Sequence, residues 1–199
     1  EGRLILADAL AYASEDAPDS IVDLATLTGA CMVALGPRIA GVMGNDDGWL
    51  GEIESASKRS GEAVWRLPLP TEYRKQFESP VADMKNIGGP YGGALTAGLI
   101  LQEFVAEGIP WAHMDIAGPA FSESDEVDAP KGGSGFGVRL LVELLTSVAN
   151  RGSAAADEAT AVATDSAGSP AADETGEAAG AAVVEVSEGG AVEPSNGDH

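Results

Sequence analysis

A single cysteine in 199 residues, Cys31, excludes an internal disulfide framework and fits a reducing, cytoplasmic compartment. Positive charge is scarce as well: 11 Lys and Arg stand against 32 Asp and Glu, a net charge of −21. Nucleic acids and anionic membranes need basic patches that neutralise phosphate, so neither is expected as a partner. No apolar run approaches the roughly 20 residues that cross a bilayer. No charged segment with an apolar run behind it opens the chain, and there is no initiator Met. The start reads as the cut end of a longer protein.

Aromatic residues, Leu and Ile are all absent after Asn150. Residues 151–199 are Ala, Gly, Ser and acid, with one Arg against ten Asp and Glu, a net −9 of the total −21. Such a segment buries too little apolar surface to offset the entropy of ordering it. The expectation is a folded domain over 1–150 and a disordered acidic tail over 151–199.

What is there is an alternation of short elements. A helix is predicted over 3–13, from Leu4, Ala7, Leu10 and Ala11. A strand over 20–24 leads into the small, hydroxyl-rich turn Ala25-Thr26-Leu27-Thr28-Gly29, then a short apolar segment over 30–35 and a second strand over 39–43. Asp46 or Asp47 caps a helix over 49–60, with Lys58 and Arg59 near its end and Gly61 as its stop. Residues 64–69 read as extended, 73–77 as a turn or two of helix, and 81–87 as ambiguous. The glycine-rich stretch 88–93 opens a helix over 94–106, with Ala97, Ile100, Leu101, Phe104 and Val105 on one face. Trp111 to Ile116 reads as a strand in which Ala112, Met114 and Ile116 alternate with His113 and Asp115. A polar loop over 122–131 precedes a last helix over 137–149, whose apolar face is expected to be Val138, Leu141, Val142, Leu145, Val148 and Ala149. The pattern predicts an α/β layered domain with a mostly parallel or mixed sheet flanked by helices.

Few residues announce chemistry on their own. Glu1 and Arg3 suit a carboxylate metal ligand with a guanidinium beside it to hold an oxyanion, or simply a charged helix start. The 26–29 turn offers hydroxyls and backbone at a strand end, where α/β folds collect ligands. Neither GGPYGG (88–93) nor KGGSG (131–135) has phosphate-loop spacing, so both read as structural loops rather than nucleotide sites. His113 reads as a hydrogen-bonded interior histidine, with Asp115 on the same face to orient it. There is no GxSxG, HExxH or CxxC.

Five blocks nevertheless occur in a telling order: EGRLILADAL, DLATLTGA, GGPYGGALTAGLILQEFV, WAHMDIAGPAF and GFGVRLL. Together they resemble the catalytic domain of the leucyl (cytosol) aminopeptidase family, over about residues 1–149. The family signature is N-T-D-A-E-G-R-L, of which the chain holds EGRL. The resemblance implies an enzyme that removes N-terminal residues from peptides with two bridged divalent metal ions (manganese, zinc or magnesium). It implies Glu1 as a metal ligand and Arg3 as the catalytic residue that holds a bicarbonate acting as general base. It also implies that the Leu27 backbone carbonyl contacts substrate, while Thr26, Gly29 and Ala117 line the pocket for the N-terminal side chain. The family's remaining ligands, a Lys and three Asp, lie upstream of the signature Glu. The chain alone is therefore expected to be inactive, and its intact form to be a cytoplasmic homo-hexamer acting on peptides. A pseudo-enzyme or oligomerisation module of the same fold is the alternative.

Overall fold

In the computed structural model, the described residues are 1–125 and 131–166, with side chains described up to residue 152. Residues Glu1–Asp157 form one compact unit; beyond it the backbone of residues 158–166 is helical. A four-stranded sheet organises the unit. Its strands are β1 (Ile21–Ala25), β2 (Ala40–Gly44), β3 (Val64–Arg66) and β4 (Trp111–Asp115), in the order β1-β4-β2-β3. β1 runs parallel to β4, and β2 parallel to β3, while β2 and β4 are antiparallel. The sheet is thus mixed and mostly parallel, as the alternation of elements predicts.

Two helical layers cover it. α3 (Asp47–Ser60) and α5 (Val138–Ser166) bury one face through Val42, Leu50, Ile53, Ala56, Ala112, Met114, Leu140 and Leu144. On the other face lie α1 (Gly2–Glu15), α2 (Gly29–Leu35), α4 (Gly93–Gln102) and a 3-10 helix, Thr71–Phe77. Leu10, Ile21, Leu101, Ile109 and Trp111 fill that side, with Phe77, Leu99 and Ile100 beside them. β4 is central, and all five of its residues are buried. Its alternation of Ala112 and Met114 with His113 and Asp115 therefore does not divide core from solvent: the first pair joins one apolar core, and the second is buried beside Trp111 under the other helical layer.

The ends of α3 are as its sequence predicts. The Asp46 carboxylate accepts a hydrogen bond from Trp49 N at 2.7 Å, and Gly61 closes the helix at φ 76°. Close packing fixes the sheet's middle: a Cβ on Gly44 would stand 2.3 Å from Trp111 O, so only glycine fits there.

Three expectations need correction. α4 ends at Gln102, so Phe104 and Val105 lie beyond it. Ala94, Thr96, Ala97, Gly98, Leu99, Ile100 and Leu101 are all buried, because the sheet and the neighbouring helices enclose α4 on several sides instead of one. α5 buries Leu140 and Leu144, whereas Val138, Val142 and Leu145 are 62%, 59% and 63% exposed. Of the expected apolar face, Leu141 packs against the core, while Val138, Val142, Leu145 and Val148 point outward. Finally, α5 does not stop at Ala149 but continues to Ser166. Residues 151–166 are rich in Ala, the strongest helix former. The rest of the segment read as a tail, 167–199, lies outside the described residues, as do 126–130 of the polar loop. The ends of that loop pair as β5 (Phe121–Ser122) and β6 (Gly132–Gly133).

Candidate active-site wall

A cleft of 530 Å³ opens where α1 begins and β1 ends, lined by Glu1, Gly2, Arg3, Ala25, Thr26, Leu27, Asn86 and Ile87. Glu1 sits at the N-cap of α1. Its carbonyl accepts hydrogen bonds from Leu4 N and Ile5 N, but its carboxylate makes no capping bond and stays exposed. Arg3 lies one turn in. One guanidinium nitrogen, Nη1, donates to the Asn86 carbonyl. Its Nε is buried with no partner, and burial draws the group's pKa below the usual arginine value. A guanidinium at the edge of a cleft suits an oxyanion, since its planar fork of N–H groups matches one.

The opposite wall is the turn after β1. Its conformation is set from β4 by Asp115, which is fully buried. Asp115 Oδ1 accepts hydrogen bonds from Leu27 N at 3.1 Å, Thr28 N at 3.3 Å and Ala117 N at 3.2 Å. Its Oδ2 accepts one from Thr28 Oγ1 at 2.6 Å. Thr28 Oγ1 in turn accepts from Cys31 N at 3.0 Å and so caps α2. Asp115 is thus spent on the turn and does not orient His113, contrary to expectation. That task falls to Asp23 on β1, whose carboxylate meets His113 Nδ1 at 2.5 Å and accepts from Trp111 Nε1 at 2.8 Å.

Of the residues singled out in the sequence, Glu1, Arg3, Thr26 and Leu27 line the cleft. Gly29 does not; it is the first residue of α2. Nor does Ala117, which sits behind the turn on the Asp115 carboxylate. Asn86 and Ile87 were missed, because their segment has neither periodicity nor a chemical motif. Glu1 is, among the described residues, the one carboxylate lining the cleft. Among the described residues, no group of three or more His, Cys, Asp or Glu is arranged to hold a metal ion. Nor is any helix among them long and apolar enough to cross a membrane.

The geometry is that of a layered α/β unit with a polar cleft at the C-terminal end of an edge strand, a common place for ligands in this fold class. Comparison with known proteins narrows it. Residues 1–142 match the cytosol aminopeptidase family, catalytic domain. The chain is 56% identical over 145 residues to a probable cytosol aminopeptidase of Streptomyces coelicolor, covering 72% of this chain and 28% of that protein. It is 54% identical over 151 residues to one from Aquifex aeolicus, covering 75% and 31%. Among solved structures, a mutant of tomato leucine aminopeptidase superposes with a TM-score of 0.68 at 47% identity, over 72% of this chain and 27% of that one. The bottromycin maturation enzyme BotP in complex with Mn gives 0.71 at 44% identity, over 74% and 33%. The chain belongs to the cytosol aminopeptidase family. It spans less than a third of the length of the curated relatives it matches.

Proposed function

We propose that this chain forms one wall of a peptidase site that removes residues from the N-termini of peptides. The observation that carries the reading is the cleft lined together by Glu1, the half-buried Arg3 and the Thr26-Leu27 turn. Glu1 is a ligand for divalent metal, manganese being the ion named with one structural neighbour. Arg3 holds an oxyanion, bicarbonate in this reading, where a base is needed to take a proton from water. The Leu27 carbonyl contacts the peptide and Thr26 lines the pocket around the N-terminal side chain, while Gly29 and Ala117, which stand outside the cleft, act only by holding the turn from behind.

The residues present do not make a metal centre by themselves. One cleft carboxylate is too few for the two-ion chemistry of the family reading. In this reading the remaining ligands come from outside this chain, whose match covers only 28% of its Streptomyces coelicolor relative. Hexameric assembly and a cytosolic setting belong to the same reading. The exposed stripe of α5 supports burial in an assembly.

Calorimetric titration of the 199-residue chain with Mn²⁺ tests the ligand count. Weak, non-stoichiometric heats and no hydrolysis of L-leucine p-nitroanilide are expected. Two tight sites per chain would contradict the proposal.

A further inference from the structure

Asp115 is buried, accepts four hydrogen bonds, and has no part in the chemistry proposed above. Two of its donors are consecutive backbone amides, Leu27 N at 3.1 Å and Thr28 N at 3.3 Å. None of the peptide bonds among the described residues is cis. In a planar trans peptide the N–H and C=O point in opposite directions. With the Leu27 N–H directed at Asp115, the Thr26 carbonyl must therefore point away from it. With the Thr28 N–H directed there too, so must the Leu27 carbonyl. Thr26 and Leu27 both line the cleft, and among the described residues no hydrogen bond takes either carbonyl.

Resting on the function proposed above, we propose that Asp115 is a positioning residue: its carboxylate fixes the 26–28 turn so that the Thr26 and Leu27 carbonyls face the cleft as paired acceptors for N–H groups of a peptide substrate. A carboxylate is suited to this because it is acceptor-only and charged: Oδ1 gathers three backbone N–H groups while Oδ2 takes the Thr28 hydroxyl. An amide in its place leaves an uncharged oxygen for the three N–H groups and turns its NH2 toward the Thr28 hydroxyl, which weakens the hold on the turn. The Thr28 hydroxyl fastens the same turn to the start of α2 through Cys31 N, so the carbonyls are held from both sides. Acceptors of this kind engage the ground state as well as the transition state, so their misplacement is read in KM more than in kcat.

The test compares Asp115→Asn with Thr28→Val, which keeps the carboxylate, and with Glu62→Gln. Glu62 is an equally buried carboxylate that accepts Leu140 N at 2.8 Å, on the far layer of the unit. Amide exchange in the 199-residue chain is measured first, since it needs no activity. Asp115→Asn is expected to speed exchange at Leu27 and Thr28 at least tenfold while the amides of β4 stay protected, and Glu62→Gln to leave the turn unchanged. Unchanged exchange at Leu27 and Thr28 in Asp115→Asn overturns the proposal. The second arm places the segment in a full-length relative and measures L-leucinamide hydrolysis. Asp115→Asn is expected to raise KM about tenfold with kcat within about threefold, and Thr28→Val to shift KM the same way by less. Exchange that speeds without a rise in KM overturns the substrate-facing role. A wild-type graft that folds but does not hydrolyse peptides contradicts the proposed function instead, and the exchange arm still decides what Asp115 does.

Discussion

Cys31 shows how burial decides reactivity at the scale of one residue. Its side chain is 1% exposed, and burial together with the nearby Asp115 charge pushes the thiol up to about 11. The fold therefore favours the protonated thiol. An unfolded chain loses this proton near pH 9 and the folded one near 11, so this group makes stability fall as pH rises between those values. Denaturant midpoints measured from pH 8 to 11 should decrease for the wild type and flatten for Cys31→Ala. In native protein at pH 8, a disulfide reagent should label Cys31 only at the rate of unfolding. Glu62 is a buried carboxylate with a structural task, holding Leu140 N at the start of α5. Glu62→Ala leaves that amide unpaired and should cost about 1–3 kcal/mol in chemical denaturation. Sequence made Glu1, Arg3, Thr26 and Leu27 visible because they sit in a run that resembles a signature. It gave no hint of Asn86, which contributes only a backbone carbonyl, a group every residue has. Asp115 was visible as a strand acid but was paired with the wrong partner, because its true donors are backbone amides 87 and 88 residues away.

Among the elements, α3 was legible from its ends, since Asp46 and Gly61 act through local backbone geometry. The orientation of α5 was not. Its sequence is apolar on more than one side, and periodicity alone cannot say which stripe meets the sheet. Packing chose Leu140 and Leu144. The difference is measurable: Leu144→Ala should cost about 2–5 kcal/mol as a buried truncation. Leu145→Ala, at an exposed site, should stay within about 0.5 kcal/mol. A larger loss at Leu145 than at Leu144 would show that the helix is turned the other way. α4 was found but its environment was not. A helix buried on most sides differs from an amphipathic one only in composition, and its small residues Gly98 and Ala97 are what allow close approach: a Cβ on Gly98 would stand 3.0 Å from Met43 Sδ.

For the whole molecule, alternation of strands and helices pointed correctly to a layered α/β unit, but strand direction did not follow from it. β2 runs against β4, a choice set by how the chain crosses between layers and by contacts between residues far apart in sequence. The cleft wall is likewise put together from several elements. α1 brings Glu1 and Arg3, β1 brings the turn, β4 fixes that turn through Asp115, and the segment before α4 supplies Asn86. The measurement that tests this most directly is peptidase activity of a full-length relative carrying this chain's segment in place of its own, with and without Arg3→Ala. The account predicts that the graft hydrolyses L-leucinamide and that Arg3→Ala lowers kcat/KM by at least about 10² while leaving the fold intact, the scale expected for loss of an oxyanion-holding group. A folded graft whose activity is indifferent to Arg3→Ala would contradict it.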